Sequence, residues 1–361
     1  MLRFRSLACL ALGLAWWLAS TAPASAIQIL SYNPARHDRF TSGFPAGPPV
    51  PNPNLFGNVA PYNTFDYSGF GWSSTAFTGF TTHPGATLIS PQHVVVARHF
   101  TPSTTLNFLG GDGNLHTYTV SSWHNVTYNG QVSDLRVGTL SAPIDPADQV
   151  TFYSVVSTGP FNNPVTPADI PKLNWYVGRE LIVGGAPDTA TGGPRMGRNR
   201  VSFFAEVEFD SAFVDNLFVV YDYDGFGPDG VGDDEALLTS GDSGSPLFMV
   251  YDGQLTLLGT HAGADYSASP QLSADTFIPL YIDQINDIMR PTGYQMSVIF
   301  VSVPEPSSLL LASMGALAGL RKWRGARRKD PAGAVAEPAV VATHHAAPAR
   351  AFRLTVRARR A

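Results

Sequence analysis

A chain of 361 residues, 44% of them hydrophobic, can bury a sizeable core, and its 34 glycines and 29 prolines favour strands and loops over long helices. The net charge of −5 hides a division: residues 27–320 carry 10 basic against 26 acidic side chains, and residues 321–361 carry 11 against 2. The acidic body excludes nucleic acid as a partner there, and the lone cysteine, Cys9, excludes a disulfide, a cysteine nucleophile or a thiolate zinc site in that body.

At the N-terminus Arg3 and Arg5 precede an apolar run over 7–18 and the small residues Ala24-Ser25-Ala26. This order predicts a signal peptide over 1–26, removed by signal peptidase after Ala26. Residues 27–62 are rich in Pro, Asn and Gly, and read as a lead-in, a surface arm or a pro-segment. Residues 65–80 alternate aromatics with Gly, Ser and Thr, as in strands of a small barrel. Residues 86–100 then read as a strand, a Ser-Pro turn at Ser90-Pro91, and a β-branched strand that gives out at His99. That leaves His99 free to face a cleft, whereas His93 lies within the strand and reads as structural.

Asp134 opens an alternating run, Leu135-Arg136-Val137-Gly138-Thr139-Leu140, while Asp112, Asp145 and Asp148 sit in Gly- or Pro-marked turns without such a strand. Residues 143–171 read as a crossing between two halves. Strands are expected at 180–184, 201–209 and 213–221. Six acids crowd the glycine-rich stretch 222–235. Of these, Asp222, Asp224, Asp229 and Asp233 are candidate Ca²⁺ ligands, although the spacing is not that of an EF-hand. A solvated acidic loop is the competing reading.

The turn Gly241-Asp242-Ser243-Gly244-Ser245-Pro246 sets one hydroxyl between two glycines just before the apolar run Leu247-Phe248-Met249-Val250. Glycine permits unusual backbone angles and close approach by a substrate. Residues 255–260 form a strand leading into His261-Ala262-Gly263. Apolar positions at 278, 281, 282, 285, 288 and 289 predict a helix with one buried face.

Three of these stretches, in this order, resemble chymotrypsin-like serine proteases of bacterial type: Val96-Ala97-Arg98-His99-Phe100, Ser133-Asp134-Leu135 and Gly241-Asp242-Ser243-Gly244. Phe100 stands where that family usually has a cysteine, and Arg98 where it has a small residue. The resemblance covers about 65–290 and implies an all-β fold of two six-stranded Greek-key barrels, about 63–150 and 160–290, with a C-terminal helix inside a protease domain over 63–300. It implies a serine endopeptidase acting on protein or peptide substrates through His99, Asp134 and Ser243. The oxyanion would be held by the Gly241 and Ser243 amides, and no cofactor is required. It also implies that Asp242 pairs with a new N-terminal amine or another cation. Leu237, Leu238, His261, Ala262 and Gly263 would line the substrate pocket, His261 standing where glutamyl endopeptidases recognise a substrate carboxylate. The competing classes are a non-catalytic matrix or adhesion module and a secreted esterase.

Pro304-Glu305-Pro306, an apolar segment over 309–320 and the basic cluster 321–329 resemble a PEP-CTERM sorting tail over 303–329. The resemblance implies transient residence in the inner membrane through 307–320, processing by an exosortase, and delivery to the cell surface or extracellular matrix. The Ala/Pro/Arg-rich remainder, 330–361, reads as a disordered basic tail in which His344-His345 is inert.

Overall fold

The computed structural model describes residues 27–303, apart from 45–46, 129, 188–192, 208–215 and 228–229. The signal peptide, the sorting segment beyond 303 and the basic tail lie outside the described residues, as does Asp229. The described residues up to Val301 belong to one compact unit. Among the described residues no helix is long and apolar enough to cross a membrane.

Six strands make the first barrel: β1 (Phe70–Ser73), β2 (Gly85–Ser90), β3 (His93–Ala97), β4 (Thr105–Leu109), β5 (Leu115–Tyr128) and β6 (Gln131–Leu140). They pair antiparallel in the order β1-β2-β3-β6-β5-β4 and close through β1 and β4. Alternate residues fill the interior, with Ala86, Leu88, Val94, Val96, Leu106, Phe108, Val120 and Leu140 in one buried cluster. In β3 the intervening residues are buried as well, because the outer face of this strand meets the second half of the molecule.

The second half contains β7 (Glu180–Gly184), β8 (Met196–Arg200), β9 (Phe203–Val207), β10 (Asn216–Tyr223), β11 (Pro246–Tyr251), β12 (Gln254–Asp265) and β13 (Gln271–Phe277), paired in the order β8-β7-β11-β12-β13-β10-β9. Its two ends, β8 and β9, are successive stretches of one segment interrupted only at Val201-Ser202. The sheet therefore turns back on itself. Asn199 Nδ2 donates to the Asp222 carbonyl at 2.8 Å and the Ser202 amide to that of Val220 at 2.9 Å, stitching β8 and β9 along β10. Counting β8–β9 as one broken strand, this is a second six-stranded barrel, and the architecture is an all-β pair of barrels. Tyr176, Phe204 and Phe277 meet edge to face within it, with centroids 5.0–5.9 Å apart. The expected terminal helix begins as a tight turn at Ile278–Tyr281 and continues as Ile282–Met289, burying Ile285 and Met289.

The lead-in is integral to this fold. Ile27 and Phe56 are fully buried, and Gln28–Ile29 pairs antiparallel with Ala236–Leu237, immediately before the serine turn. A single helical turn, Pro34–His37, is capped by the Asn33 side chain, which accepts from the Ala35 amide at 3.0 Å. From it Arg36 grips Asp234 with two bonds of 2.6 and 2.8 Å, and His37 Nε2–H donates to the same carboxylate at 3.0 Å. Two residues on, Arg39 turns toward the first barrel and donates to the Phe70 and Tyr67 carbonyls, both at 2.6 Å.

Arg39 is 5% exposed and lies against the rings of Phe40, Phe70 and Trp72, with burial pushing its guanidinium down to about 10. Replacing Arg39 by Met withdraws two charge-assisted donors from buried carbonyls. The expected loss is about 1–3 kcal/mol of stability, read as a lowered Tm.

Candidate active site

The seam between the barrels brings together three side chains from distant parts of the chain. His99 follows β3, where the strand ends and the chain turns. Asp134 lies in β6, beside β3, and is 4% exposed. Ser243 lies in the turn that enters β11. Asp134 holds the histidine twice: Oδ1 accepts from the His99 amide at 3.0 Å and Oδ2 from Nδ1–H at 2.7 Å. With the proton on Nδ1, Nε2 is left to accept the Ser243 hydroxyl, 2.8 Å away. Burial opposes protonation of His99, but the charge and hydrogen bond of Asp134 outweigh it, so the pKa lies above the ordinary value. The arrangement can make a serine oxygen nucleophilic and store its proton.

The serine turn is fixed from three sides. The Asp242 carboxylate, fully buried, accepts from the Ala186 amide at 3.0 Å and from the Thr239 amide and hydroxyl at 2.8 and 2.9 Å. The Gly244 amide donates to the His261 carbonyl at 2.9 Å, and the His261 amide returns a bond to Ser245 at 3.0 Å. Gly85 of β2 packs on Ser245 so closely that a methyl group there would lie 2.4 Å from its hydroxyl oxygen. Gly241 has φ +102° and a methyl on it would lie 2.6 Å from Thr82 Oγ1, so both backbone and space demand glycine. The amides of Gly241 and Ser243 make no hydrogen bond among the described residues. Two unengaged N–H groups flanking a nucleophilic hydroxyl can stabilise an anion formed there.

The buried His261, protonated between two acceptors, is the cation whose charge acts on Asp242. Backbone amides and a hydroxyl hold it, and no Lys or Arg salt bridge reaches it among the described residues. Burial pushes its carboxyl up to about 6, an effect that the positive charge of His261 opposes.

His261 itself corrects an expectation. It is fully buried and cannot meet a substrate carboxylate, because Nδ1 bonds Asp275 of β13 and Nε2 lies 2.9 Å from the Gly184 carbonyl. Both partners are acceptors, an arrangement satisfied when both ring nitrogens donate. Burial resists this protonation, but the charge and hydrogen bond of Asp275 prevail, so the pKa is raised. Leu237 and Leu238 are likewise buried rather than open to a cleft. Ala262 and Gly263 remain half-buried, at a bulge where the β12–β13 register shifts.

Of the candidate calcium ligands, Asp222, Asp224 and Asp233 lie among the described residues. Among the described residues no three His, Cys, Asp or Glu side chains converge as metal ligands. Asp222 accepts from Ser202 at 2.7 Å and Asp233 from Ser31 at 2.8 Å. Neighbouring Glu235 takes up the Asp224 amide at 2.8 Å. Asp222 and Asp233 are thus engaged by the protein's own donors. Ala186 and Asp275 were not singled out by the sequence, because each acts through a partner far away in the chain or on another strand, and Thr239, which bonds Asp242 three residues on, belongs to no motif.

The fold and this cluster define a two-barrel protein with a hydrogen-bonded Asp–His–Ser chain. Residues 302–329 match the PEP-CTERM protein-sorting motif, which marks the chain as a secreted protein sorted to the cell envelope or surface and processed by an exosortase. Among solved structures it is similar to a mutant of human heparin binding protein, with 16% identity, a TM-score of 0.42, and coverage of 63% of this chain and 94% of that one. No curated protein sequence matches it.

Proposed function

We propose that the secreted body is a serine endopeptidase. The observation that carries this reading is the continuous chain from Asp134 through His99 to Ser243 across the barrel seam. His99 Nε2 takes the Ser243 proton as Oγ attacks a scissile carbonyl, and later returns it to the leaving amine. Asp134 keeps the imidazole in the required tautomer and offsets its charge. The Gly241 and Ser243 amides receive the oxyanion, each worth about 3 kcal/mol to the transition state.

A substrate strand has an edge to join. β12 runs beyond its pairing with β11, which ends at Thr260, so Ala262 to Asp265 have β13 on one side only. In this reading leader removal after Ala26 supplies a new N-terminal amine near Asp242, beside the charge of His261. A methyl on Gly185 would lie 3.1 Å from the Ile27 nitrogen, and the next residue, Ala186, holds Asp242.

The test is a fluorophosphonate probe applied to the secreted chain, with casein hydrolysis followed in parallel. Labelling of Ser243 that disappears in Ser243→Ala, together with peptide-bond cleavage, is expected. An unlabelled Ser243 defeats the reading, and labelling with ester but no peptide cleavage transfers it to an esterase.

A further inference from the structure

Tyr266 ends the open edge of β12, and its hydroxyl donates to the Leu238 carbonyl at 2.9 Å. The Leu238 amide is fixed in turn by Ser273 Oγ at 3.0 Å. The tyrosine thus ties the end of the open strand edge to the segment that leads, three residues later, into Gly241. It lies at the surface, 48% exposed, while the side chains of Leu237 and Leu238 are buried. The turn that carries it is braced. Asp265 accepts from the Ser267 amide at 2.9 Å and hydroxyl at 2.6 Å, and Gln271 Nε2 donates to the Tyr266 carbonyl at 3.3 Å.

Resting on the peptidase reading, we infer that Tyr266 is a specificity-determining bar that limits the residue acylating Ser243 to small side chains such as Gly, Ala or Ser. The argument is one of placement. The carbonyl of that residue sits at the Gly241 and Ser243 amides, and its own backbone continues along Ala262 to Ala264. Its side chain is left the gap between the segment Leu238–Gly241 and the segment Ala262–Tyr266. The phenol crosses that gap and is bonded on the far side. A branched or aromatic side chain would have to break the Tyr266–Leu238 bond and displace a ring whose turn is held in place. The phenol keeps its proton for this bond across the working range, since burial and the charge of Asp242 push its pKa to about 12.

The experiment uses peptidyl phosphonates that label an activated serine and carry either an Ala or a Phe side chain next to phosphorus. Labelling rates of the secreted chain are compared with those of Tyr266→Ala and Tyr266→Phe. A plain fluorophosphonate, which places no side chain in the gap, is the reference for a competent Ser243. Wild type is expected to favour the Ala probe on the order of 10- to 200-fold. Tyr266→Ala is expected to erase or invert that preference, and Tyr266→Phe, which keeps the ring, to retain a size limit.

Equal rates with both probes in wild type overturn the proposal, as does a preference that survives in Tyr266→Ala. Failure of the plain probe to label wild-type Ser243 defeats the peptidase reading itself, and this proposal with it.

Discussion

Asp134→Asn is expected to lower kcat by on the order of 10⁴-fold while leaving the fold intact. The carboxylate accepts two donors, the His99 amide and Nδ1–H, and an amide side chain cannot accept both in the same geometry. If the Asn NH₂ faces Nδ1, the ring proton must move to Nε2, which then cannot accept the Ser243 proton. If it faces the His99 amide instead, two donors collide.

The pH profile separates this effect from simple loss of stability. In wild type, kcat/KM should rise as His99 loses its proton, with an acid-limb midpoint above the ordinary 6.5, because Asp134 favours the charged ring more than burial disfavours it. In Asp134→Asn the burial penalty remains and the compensating charge is gone, so the midpoint should move down. Residual activity of the variant, followed from pH 5 to 8, reads this shift. An unmoved midpoint would count against Asp134 acting through the histidine.

Asp234→Ala is expected to be the most destabilising single change outside the barrel cores, by about 3–5 kcal/mol. The carboxylate is 2% exposed and joins Arg36, His37 and Arg198, the last at 3.1 Å. Its removal leaves a fully buried histidine and a half-buried arginine without their acceptor. Burial alone would raise the Asp234 pKa. Hydrogen bonds from His37 and Arg36, with the charge of Arg36, hold it well below the usual carboxylate range instead.

The sign follows from that depression. The contribution is present in full above the unfolded carboxyl value of about 4 and is lost as pH falls through it toward the folded value. Thermal melts between pH 2 and 7 should show wild type losing Tm steeply on the acid side, and Asp234→Ala following a flatter curve from a lower start. Parallel curves would mean that Asp234 is not the titrating tie.

The residues of the catalytic proposal were legible because each announces itself locally. Ser243 sits in a glycine-flanked turn, His99 at the point where a β-branched strand stops, and Asp134 at the head of an alternating run. Individual strands were legible for the same reason, period-two patterning being a short-range property, whereas their closure into two barrels was implied only by the resemblance. The lead-in was not. Its purpose resides in Arg36 meeting an acid 198 positions away and in Arg39 meeting carbonyls about 30 positions away, and no periodicity encodes either.

His261 shows the same limit from the other side. Its position was readable, but its role depends on β12 and β13 placing it opposite Asp275. The acidic stretch 222–235 suggested a cation because clustered acids in a glycine-rich loop look unspent. The structure engages Asp233 with Ser31, Asp222 with Ser202, Glu235 with backbone amides and Asp234 with arginines. Tyr266 carried no local signal at all, since a tyrosine after a strand is ordinary until its hydroxyl is seen crossing to Leu238.

The grip of the lead-in on both barrels has a consequence for how the body endures outside the cell. Residues 27–303 contain no cysteine, so no disulfide secures them, and the span from Arg36 to Asp234 is closed by charge and hydrogen bonds alone. Such a fastening is indifferent to thiols and to the redox poise of its surroundings. What opens it is a proton on Asp234, and when acidity is withdrawn the same groups can close it again.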